Sequence, residues 1–306
     1  MPKSIPGIHH VTAIAGDPQR NLEFYTGLLG LRLVKLTVNF DDPDTYHLYY
    51  GDGAGRPGTI LTFFPWPGAP KGRTGTGQLT VVAFSAPEGA LGYWMERVRA
   101  HGIDFEGPST RFGEQVLAFR DPDGLRLELV SHAGGEGHAI RGFHGVTLSE
   151  QGHERTAALL TGTLGFRFAG QAGNRFRYQT AFGGPGSFVD ILDLPEEPPG
   201  RVAAGTVHHV AWRAAGAAEQ QAWREEIARQ GLNVTPVVDR KYFRSIYFRE
   251  PGGVLFEIAT DPPGFTVDEP LEELGTHLLL PPWLEPRRAE IERRLPPLSL
   301  PQLASA

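Results

Sequence analysis

The sequence predicts an α+β fold built from four copies of a β-α-β-β-β unit. Three observations support this prediction. A strand-like segment, an amphipathic helix and further strand-like segments recur in that order four times along the chain. The turn sequences DPDG at 121–124 and EPGG at 250–253 occupy the same place in the second and fourth copies. A glycine-rich stretch at 132–142 separates the first two copies from the last two.

The first unit begins at residues 8–14, IHHVTAI, which have the pattern of a short strand. The segment PQRNLEFYTGLLG follows and predicts an amphipathic helix that Gly30 ends. Three strand-like runs complete the unit, namely LRLVKLTVNF, TYHLYYGD and GTILTFF. The helix prediction rests on apolar residues at helical spacing, which are Leu22, Tyr25, Leu28 and Leu29.

The other three units repeat this order from residues 78, 142 and 206. The second contains QLTVVAFSA, the helical ALGYWMERVRAHG, VLAFRDPDG and LRLELVS. The third contains FHGVTLSE, the helical HERTAALLTGTLGF, RFRYQTAFG and SFVDILDL. The fourth contains VHHVAWRA, the helical EQQAWREEIARQG, SIYFREPGG and VLFEIAT. Because side chains alternate along a strand, equivalent positions of the units are expected to face equivalent interiors.

The length of 306 residues exceeds the usual size of one compact domain. We therefore predict two domains of two units each, at residues 1–133 and 142–261. A Pro-rich tail, 262–306, follows and carries one helical segment, LEPRRAEIERRL. That helix is expected to pack on its own barrel or on a neighbouring subunit, or to act as a lid over the site.

The composition disfavours several classes of function. The formal net charge is −6 and the chain has no dense Lys/Arg stripe, so nucleic acid is not an expected partner. The chain has no cysteine, which leaves His, Asp, Glu and other oxygen donors as metal ligands. No basic leader with an apolar run and no membrane-length apolar stretch is found in the sequence. A soluble cytoplasmic protein is expected, without membrane partners.

Histidines and glutamates recur at equivalent strand positions and suggest a metal site. The first strands of three units carry His10, His144 and His209, and the last strands of two units carry Glu128 and Glu257. Two imidazoles and one carboxylate make a facial triad, which is typical of non-haem Fe(II) sites and also suits Mn(II). A glutamate buried among apolar strand residues is costly without such a partner.

Each of these residues also has an ordinary structural interpretation. A single histidine at a strand start is more often a core or surface residue than a ligand. The doubled histidines at matching repeat positions favour His10 and His209 as ligands. The first strand of unit two has no histidine, so Glu128 is interpreted as a remnant of a site or as one partner of an ion pair.

The sequence resembles the vicinal oxygen chelate superfamily, which includes glyoxalases, bleomycin resistance proteins and extradiol dioxygenases. The resemblance rests on the four units, on GIHHVTAI near the start, and on HHVAW and LFEIAT in unit four. Within the superfamily, LGLRLVKLTVNFDDPDTYHLYYGD, GRPGTILTFFPWP and PPWLEPRR are similar to hydroquinone-type ring-cleaving dioxygenases. The resemblance covers essentially the whole chain and implies two open, barrel-like domains of mixed sheet.

The resemblance carries the metal ligands onto His10, His209 and Glu257, which requires units one and four to pair in space. Catechol-type relatives take the first histidine from the preceding unit, so His144 stays open as an alternative to His10. For the reaction, the resemblance and the strand alternation point to a further set of candidates. Those candidates are Tyr247 beside the substrate oxygen, Arg240 to stabilise an oxyanion, Thr12 in the cavity wall, and His9 and His208 behind the ligands or on the outer face.

The resemblance and the predicted triad together imply an Fe(II)-dependent ring-cleaving dioxygenase, with Mn(II) as the other possible metal. The expected substrates are dioxygen and a hydroquinone- or catechol-type aromatic diol, and a homo-oligomer is expected. Two alternatives stay open from the sequence. One is a glyoxalase-like lyase or isomerase, whose sites usually gather two carboxylates. The other is a metal-free protein that binds an aromatic compound.

Overall fold

The computed structural model describes residues 4–134, 136–184 and 186–300, and it has the predicted α+β architecture. Strands curl into two open mixed sheets of eight strands each, and helices are few. The first unit is the most elaborate of the four. Its elements are β1 (Ile8–Ala15), α1 (Pro18–Leu22), a π-helix (Glu23–Leu28), β2 (Arg32–Asn39), β3 (Asp42–Gly51) and β4 (Ile60–Pro65).

The helix of unit one has clear start and stop signals. The Asp17 carboxylate accepts the backbone N–H of Arg20, and Pro18 occupies the first turn, where its missing N–H costs nothing. The helix continues as the π-helix and ends before Gly30, whose φ of 68° suits glycine. The predicted end at Gly30 is confirmed, whereas the change to π-helical geometry was not predicted.

The remaining units follow the same order. Unit two contains β5 (Gln78–Pro87), α2 (Leu91–Ala100), β6 (Phe105–Arg111), β7 (Glu114–Arg120) and β8 (Arg126–His132). Unit three contains β9 (Phe143–Glu150), α3 (Glu154–Gly162), β10 (Arg167–Ala172), β11 (Arg175–Gln179) and β12 (Phe188–Asp193). Unit four contains β13 (Thr206–Ala214), α4 (Ala217–Arg229), β14 (Val238–Asp239), β15 (Arg244–Arg249) and β16 (Leu255–Thr260).

The sheet topology joins units from opposite ends of the chain. The first sheet has the order β14-β15-β16-β13-β1-β4-β3-β2 and so combines unit four with unit one. The second sheet has the order β10-β11-β12-β9-β5-β8-β7-β6 and combines unit three with unit two. β1 pairs antiparallel with β13, as the resemblance required. The domain boundaries assigned from the sequence stay a prediction.

The two predicted turns are stabilised by their own acidic side chains. Asp121 Oδ1 accepts the backbone N–H groups of Asp123, Gly124 and Leu125 at 2.8–3.0 Å. The Glu250 carboxylate binds the backbone N–H groups of the EPGG turn in the same manner. An acid at the first turn position therefore satisfies donors that the β7–β8 and β15–β16 hairpins would otherwise leave unpaired.

The tail packs against the first sheet. Lys35 of β2 is fully buried and forms ion pairs with Asp268 and Glu269 at 2.8 and 2.7 Å. The helix α5 (Arg288–Arg294) buries Ile291, and beyond it Pro296 accepts the hydroxyl of Tyr46 on β3. These contacts are those of a helix packed on its own sheet. Among the helices of the described residues, none is long and apolar enough to cross a membrane.

Candidate metal centre

Three side chains from three neighbouring strands meet inside the first sheet. They are His10 of β1, His209 of β13 and Glu257 of β16, and all are buried. His209 Nε2 lies 2.9 Å and His10 Nε2 lies 3.3 Å from Glu257 Oε2. The two Nε2 atoms are 3.4 Å apart. The structure thus brings together the three residues that the sequence predicts as metal ligands.

The spacing of these atoms fits a divalent cation. Ligands about 2.1 Å from a metal and at right angles to one another lie about 3.0 Å apart. The three observed separations are 2.9, 3.3 and 3.4 Å. Glu257 Oε2 is buried and finds no partner with hydrogen-bond geometry among the described residues. A cation bound between the three atoms would satisfy that oxygen, so the residues present fit a metal that takes nitrogen and oxygen donors.

The carboxylate of the triad is held in its ionised form. Burial by itself raises the pKa of Glu257. In the metal-free protein, where the Nε2 atoms of His10 and His209 carry protons toward Oε2, these imidazoles outweigh burial and hold that pKa well below its usual range. The other oxygen, Oε1, accepts a hydrogen bond from Ser245 Oγ on β15. Ser245 therefore fixes the carboxylate orientation from the side away from the histidines. Nothing in the sequence pattern singles out Ser245.

Each ligand histidine is hydrogen-bonded to the histidine that precedes it. His9 and His10 face each other through Nδ1 atoms 2.9 Å apart, and the Nδ1 atoms of His208 and His209 are 2.7 Å apart. Burial holds the pKa of His9 well below its ordinary value and lowers the pKa of His208 to about 3. His9 and His208 are therefore neutral, and each can accept the Nδ1 proton of the following histidine. That arrangement leaves the Nε2 lone pair of His10 and of His209 free for a metal.

A cavity of about 270 Å³ opens beside the triad. Its walls are mostly apolar and aromatic, which suits a flat ring. The apolar wall consists of Phe40, Phe64, Trp66, Phe243 and Leu255. The polar groups on the wall are Thr12, Asn39, Asp41, His47, Tyr49, His208, Arg240 and Tyr247. Four of the five further candidates from the sequence therefore line this cavity, and His9 lies behind His10.

Arg240 and Tyr247 form a connected pair in the cavity wall. Arg240 Nε donates to the Tyr247 hydroxyl at 3.2 Å, and Arg240 Nη1 donates to Asp41 Oδ2 at 2.8 Å. Tyr247 lies opposite Glu257 in the β15–β16 ladder. Burial and the Glu257 charge raise the pKa of Tyr247, so its phenol stays protonated at neutral pH. The pair offers one neutral donor and one positive charge to a ligand.

His47 and Tyr49 are cavity residues that sequence analysis missed. Both lie in β3 two positions apart, so they point to the same face, and the Tyr49 hydroxyl is 2.9 Å from His47 Nδ1. His47 Nε2 is 2.8 Å from Thr62 Oγ1 on β4. A signal for them existed, because a polar His alternating with Tyr in TYHLYYGD is unusual in a strand that is otherwise apolar.

His144 and Glu128 lie in the second sheet, away from Glu257. His144 Nε2 contacts Glu114 Oε1 at 2.8 Å, and Glu128 forms an ion pair with Arg111. The ion-pair interpretation of Glu128 is therefore confirmed. The cavity in this second sheet has a volume of only about 10 Å³. The structure brings His10, and not His144, to the carboxylate of Glu257.

Comparison with known proteins identifies the family. The model of the Glyoxalase/Bleomycin resistance protein/Dioxygenase superfamily matches residues 7–129 and 142–258. These segments span more than half of the chain, and the chain belongs to this superfamily. The resemblance drawn from the sequence is confirmed.

Several relatives match over nearly their whole length. The Bacillus subtilis (strain 168) protein named "Putative ring-cleaving dioxygenase MhqO" is 48% identical over 316 residues, covering 99% of this chain and 100% of the relative. The "Chlorohydroquinone/hydroquinone 1,2-dioxygenase" of Sphingobium indicum is 35% identical over 315 residues, covering 96% of this chain and 97% of the relative. A crystal structure of a "putative dioxygenase" from Bacillus subtilis superposes with a TM-score of 0.94 at 47% identity, covering 98% of this chain and 100% of that one.

Proposed function

We propose that this chain is an Fe(II)-dependent dioxygenase that opens the ring of an aromatic diol in the extradiol manner. Hydroquinones are the favoured substrates and catechols the next. The observation that carries the proposal is the buried cluster of His10, His209 and Glu257 beside a cavity with aromatic walls. The names of the full-length relatives, which include a hydroquinone dioxygenase, support the same substrate class.

The proposed metal ligands are His10, His209 and Glu257, and the donor set suits Fe(II) or Mn(II). A bound Fe(II) would supply a Lewis acid with open positions for a diol oxygen and dioxygen. Glu257 would offset part of the metal charge. A lyase site with two carboxylates is less well supported, because Glu257 is the single carboxylate in the cluster found within the described residues.

The remaining residues have roles that follow from their contacts. His9 and His208 orient the ligand imidazoles through the Nδ1 contacts described above. The protonated Tyr247 hydroxyl can donate to a ring oxygen, and the Arg240 guanidinium stabilises negative charge that develops there. The two oxygens of a para-diol lie on opposite sides of the ring, so only one of them can bind the metal. A donor in the cavity wall must therefore bind the second oxygen.

The aromatic side chains of the cavity wall would cover part of a bound ring. The rings of Phe64 and Phe243 lie on the same wall as His47 and the triad, with Phe243 only 4.9 Å from the His10 ring between centroids. Apolar contact with a flat ring favours its binding, and a dry site strengthens every charge interaction within it. An aromatic diol would satisfy both the flat shape and the polar groups of this cavity.

The direct test is oxygen consumption by protein loaded anaerobically with Fe(II), with hydroquinone and catechol as substrates. We expect uptake with hydroquinone that is lost in His10→Ala and retained in His144→Ala. The second variant is a matched control, because His144 holds the equivalent repeat position in the other sheet. Metal content is measured for every variant. Absence of uptake with any diol in metal-loaded protein would overturn the dioxygenase assignment.

A further inference from the structure

Four side chains form a continuous hydrogen-bonded line in the wall of the cavity. The Tyr49 hydroxyl is 2.9 Å from His47 Nδ1, and His47 Nε2 is 2.8 Å from Thr62 Oγ1. Thr62 Oγ1 in turn donates to Thr12 Oγ1 at 2.9 Å. The line crosses from β3 through β4 to β1 and ends two residues after His10.

The direction of the hydrogen bond from Thr62 to Thr12 determines which group donates in the other hydrogen bonds of the line. Thr62 has a single hydroxyl proton, and it is directed to Thr12. Thr62 Oγ1 must then accept the proton on His47 Nε2. Burial holds the pKa of His47 well below its ordinary value, so the ring is neutral and carries one proton. His47 Nδ1 is consequently an acceptor, and the Tyr49 hydroxyl donates to it.

The last member of the line has an unused donor. Thr12 Oγ1 already accepts from Thr62, and its own proton has no acceptor among the described residues. Thr12 is fully buried, lines the cavity and lies on the same face of β1 as His10. A buried hydroxyl donor without an acceptor is costly, so an acceptor supplied by a ligand would be stabilised there.

We propose that Tyr49, His47, Thr62 and Thr12 form a directed relay that presents the Thr12 hydroxyl proton to an oxygen of the bound aromatic diol. His47 and Thr62 are positioning residues, since they act on the ligand through Thr12. A hydrogen bond to a phenolate oxygen is charge-assisted, and successive donors polarise one another. The inference rests on the proposed function, because it assigns the ligand of the same cavity.

Thr62 provides the sharpest test, because it does not line the cavity and so can influence the ligand only through its neighbours. Thr62→Val removes the hydroxyl with little change in volume, and Thr62→Ser restores it. Thr37→Val is the matched control, since Thr37 lies opposite His47 on β2 and its buried hydroxyl has no partner in the described part of the chain. The dissociation constant of hydroquinone is measured by anaerobic calorimetric titration of the Fe(II)-loaded protein.

We expect Thr62→Val to weaken hydroquinone binding about three- to tenfold, because Thr12 keeps its own hydroxyl but loses the donor that orients and polarises it. Thr62→Ser should restore most of the affinity, and Thr37→Val should leave it within about twofold of the unmodified protein. In steady-state assays, KM should rise with the dissociation constant while kcat changes little, because the bond is present in the ground state.

A second variant keeps the proposal open to refutation if Thr62→Val does not fold. His47→Leu removes the donor to Thr62 from the other side and should weaken binding in the same direction. Unchanged affinity in both folded variants, or an equal loss in Thr37→Val, would overturn the relay. Calorimetric binding does not depend on turnover. A protein that binds hydroquinone through the relay but consumes no oxygen would therefore contradict the dioxygenase proposal alone.

Discussion

Metal binding by the triad should stabilise the folded protein by a calculable amount. Mn(II) is a convenient probe because it suits the same ligands and can be handled in air. His10→Ala removes one of the three atoms that surround the proposed site. His144→Ala removes a buried histidine of the same repeat position from the second sheet, where its partner is Glu114. Both substitutions replace a buried histidine by alanine. A difference in metal-induced stabilisation between the two variants therefore shows which histidine binds the metal.

The expected rise in Tm follows from the linkage between metal binding and folding. A ligand at about 100 times its dissociation constant contributes about 2.7 kcal/mol to the free energy of unfolding. An unfolding entropy of about 2.1 cal/mol/K per residue gives about 0.64 kcal/mol/K for 306 residues, so Tm should rise by about 4 °C. Loss of a direct ligand should weaken affinity at least about 100-fold, since loss of a supporting partner alone costs about 10- to 100-fold. The remaining stabilisation is then about 0.4 kcal/mol, or less than about 1 °C.

The assay is differential scanning calorimetry of metal-free protein with and without Mn(II) at one fixed concentration. The rise in Tm should persist in His144→Ala and nearly vanish in His10→Ala. Equal shifts in the two variants would refute the assignment of His10. Loss of the shift in His144→Ala alone would indicate that His144, and not His10, is the first metal ligand.

Three further predictions concern the site and the buried acids. Tyr247→Phe removes the neutral donor beside the proposed reacting oxygens and should lower kcat for hydroquinone about 100-fold, measured by oxygen uptake; an unchanged kcat would exclude this role. Ser245→Ala removes the hydrogen bond to Glu257 Oε1 and should weaken Mn(II) affinity about 10- to 100-fold in a calorimetric titration, and undiminished affinity would contradict the orienting role. Burial and the nearby Glu250 raise the pKa of Glu150 from 4.5 to about 8 in the folded protein. Between these values the unfolded chain has released the proton that the folded chain still holds, so this carboxyl lowers stability as pH rises through that window. Glu150→Gln should therefore be more stable than the unmodified protein at pH 9, by a margin on the order of a few kcal/mol, and nearly equal to it at pH 4, measured by urea unfolding. A pH-independent difference would contradict this account.

The sequence pattern recovered the strands that are buried on both faces, because these read as short apolar runs. The strands β1, β5, β9 and β13 are almost wholly buried, and each was predicted. β6 and β10 were missed because their side chains are mostly exposed on the edge of the second sheet. Such strands have little apolar alternation, and their pairing is set by the neighbouring strand rather than by their own residues.

Some residues of the site could be predicted because they form a recognisable pattern in the sequence, and others could not. The doubled histidines and the isolated Glu257 stand out in the sequence, and the structure places them together. Ser245 and Thr62 have no such signal, because a hydroxyl in a strand is common and its partner depends on sheet register. The pairing of units one and four came from the family resemblance, since the repeat pattern alone does not specify which units share a sheet.

The two sheets differ in how a buried glutamate at the same repeat position is neutralised. Glu128 and Glu257 hold equivalent positions in their units, and both are buried. In the second sheet Arg111 supplies a cation to Glu128, and Arg177 pairs with Asp190 nearby, so arginines fill the space. In the first sheet, no Lys or Arg of the described residues forms an ion pair with Glu257, and a cavity remains beside it. A buried carboxylate without a protein cation is costly, and a divalent metal is the cation that the two neighbouring imidazoles can help to hold. The comparison within one chain therefore supports a metal at the first sheet and a salt-bridge network in the second.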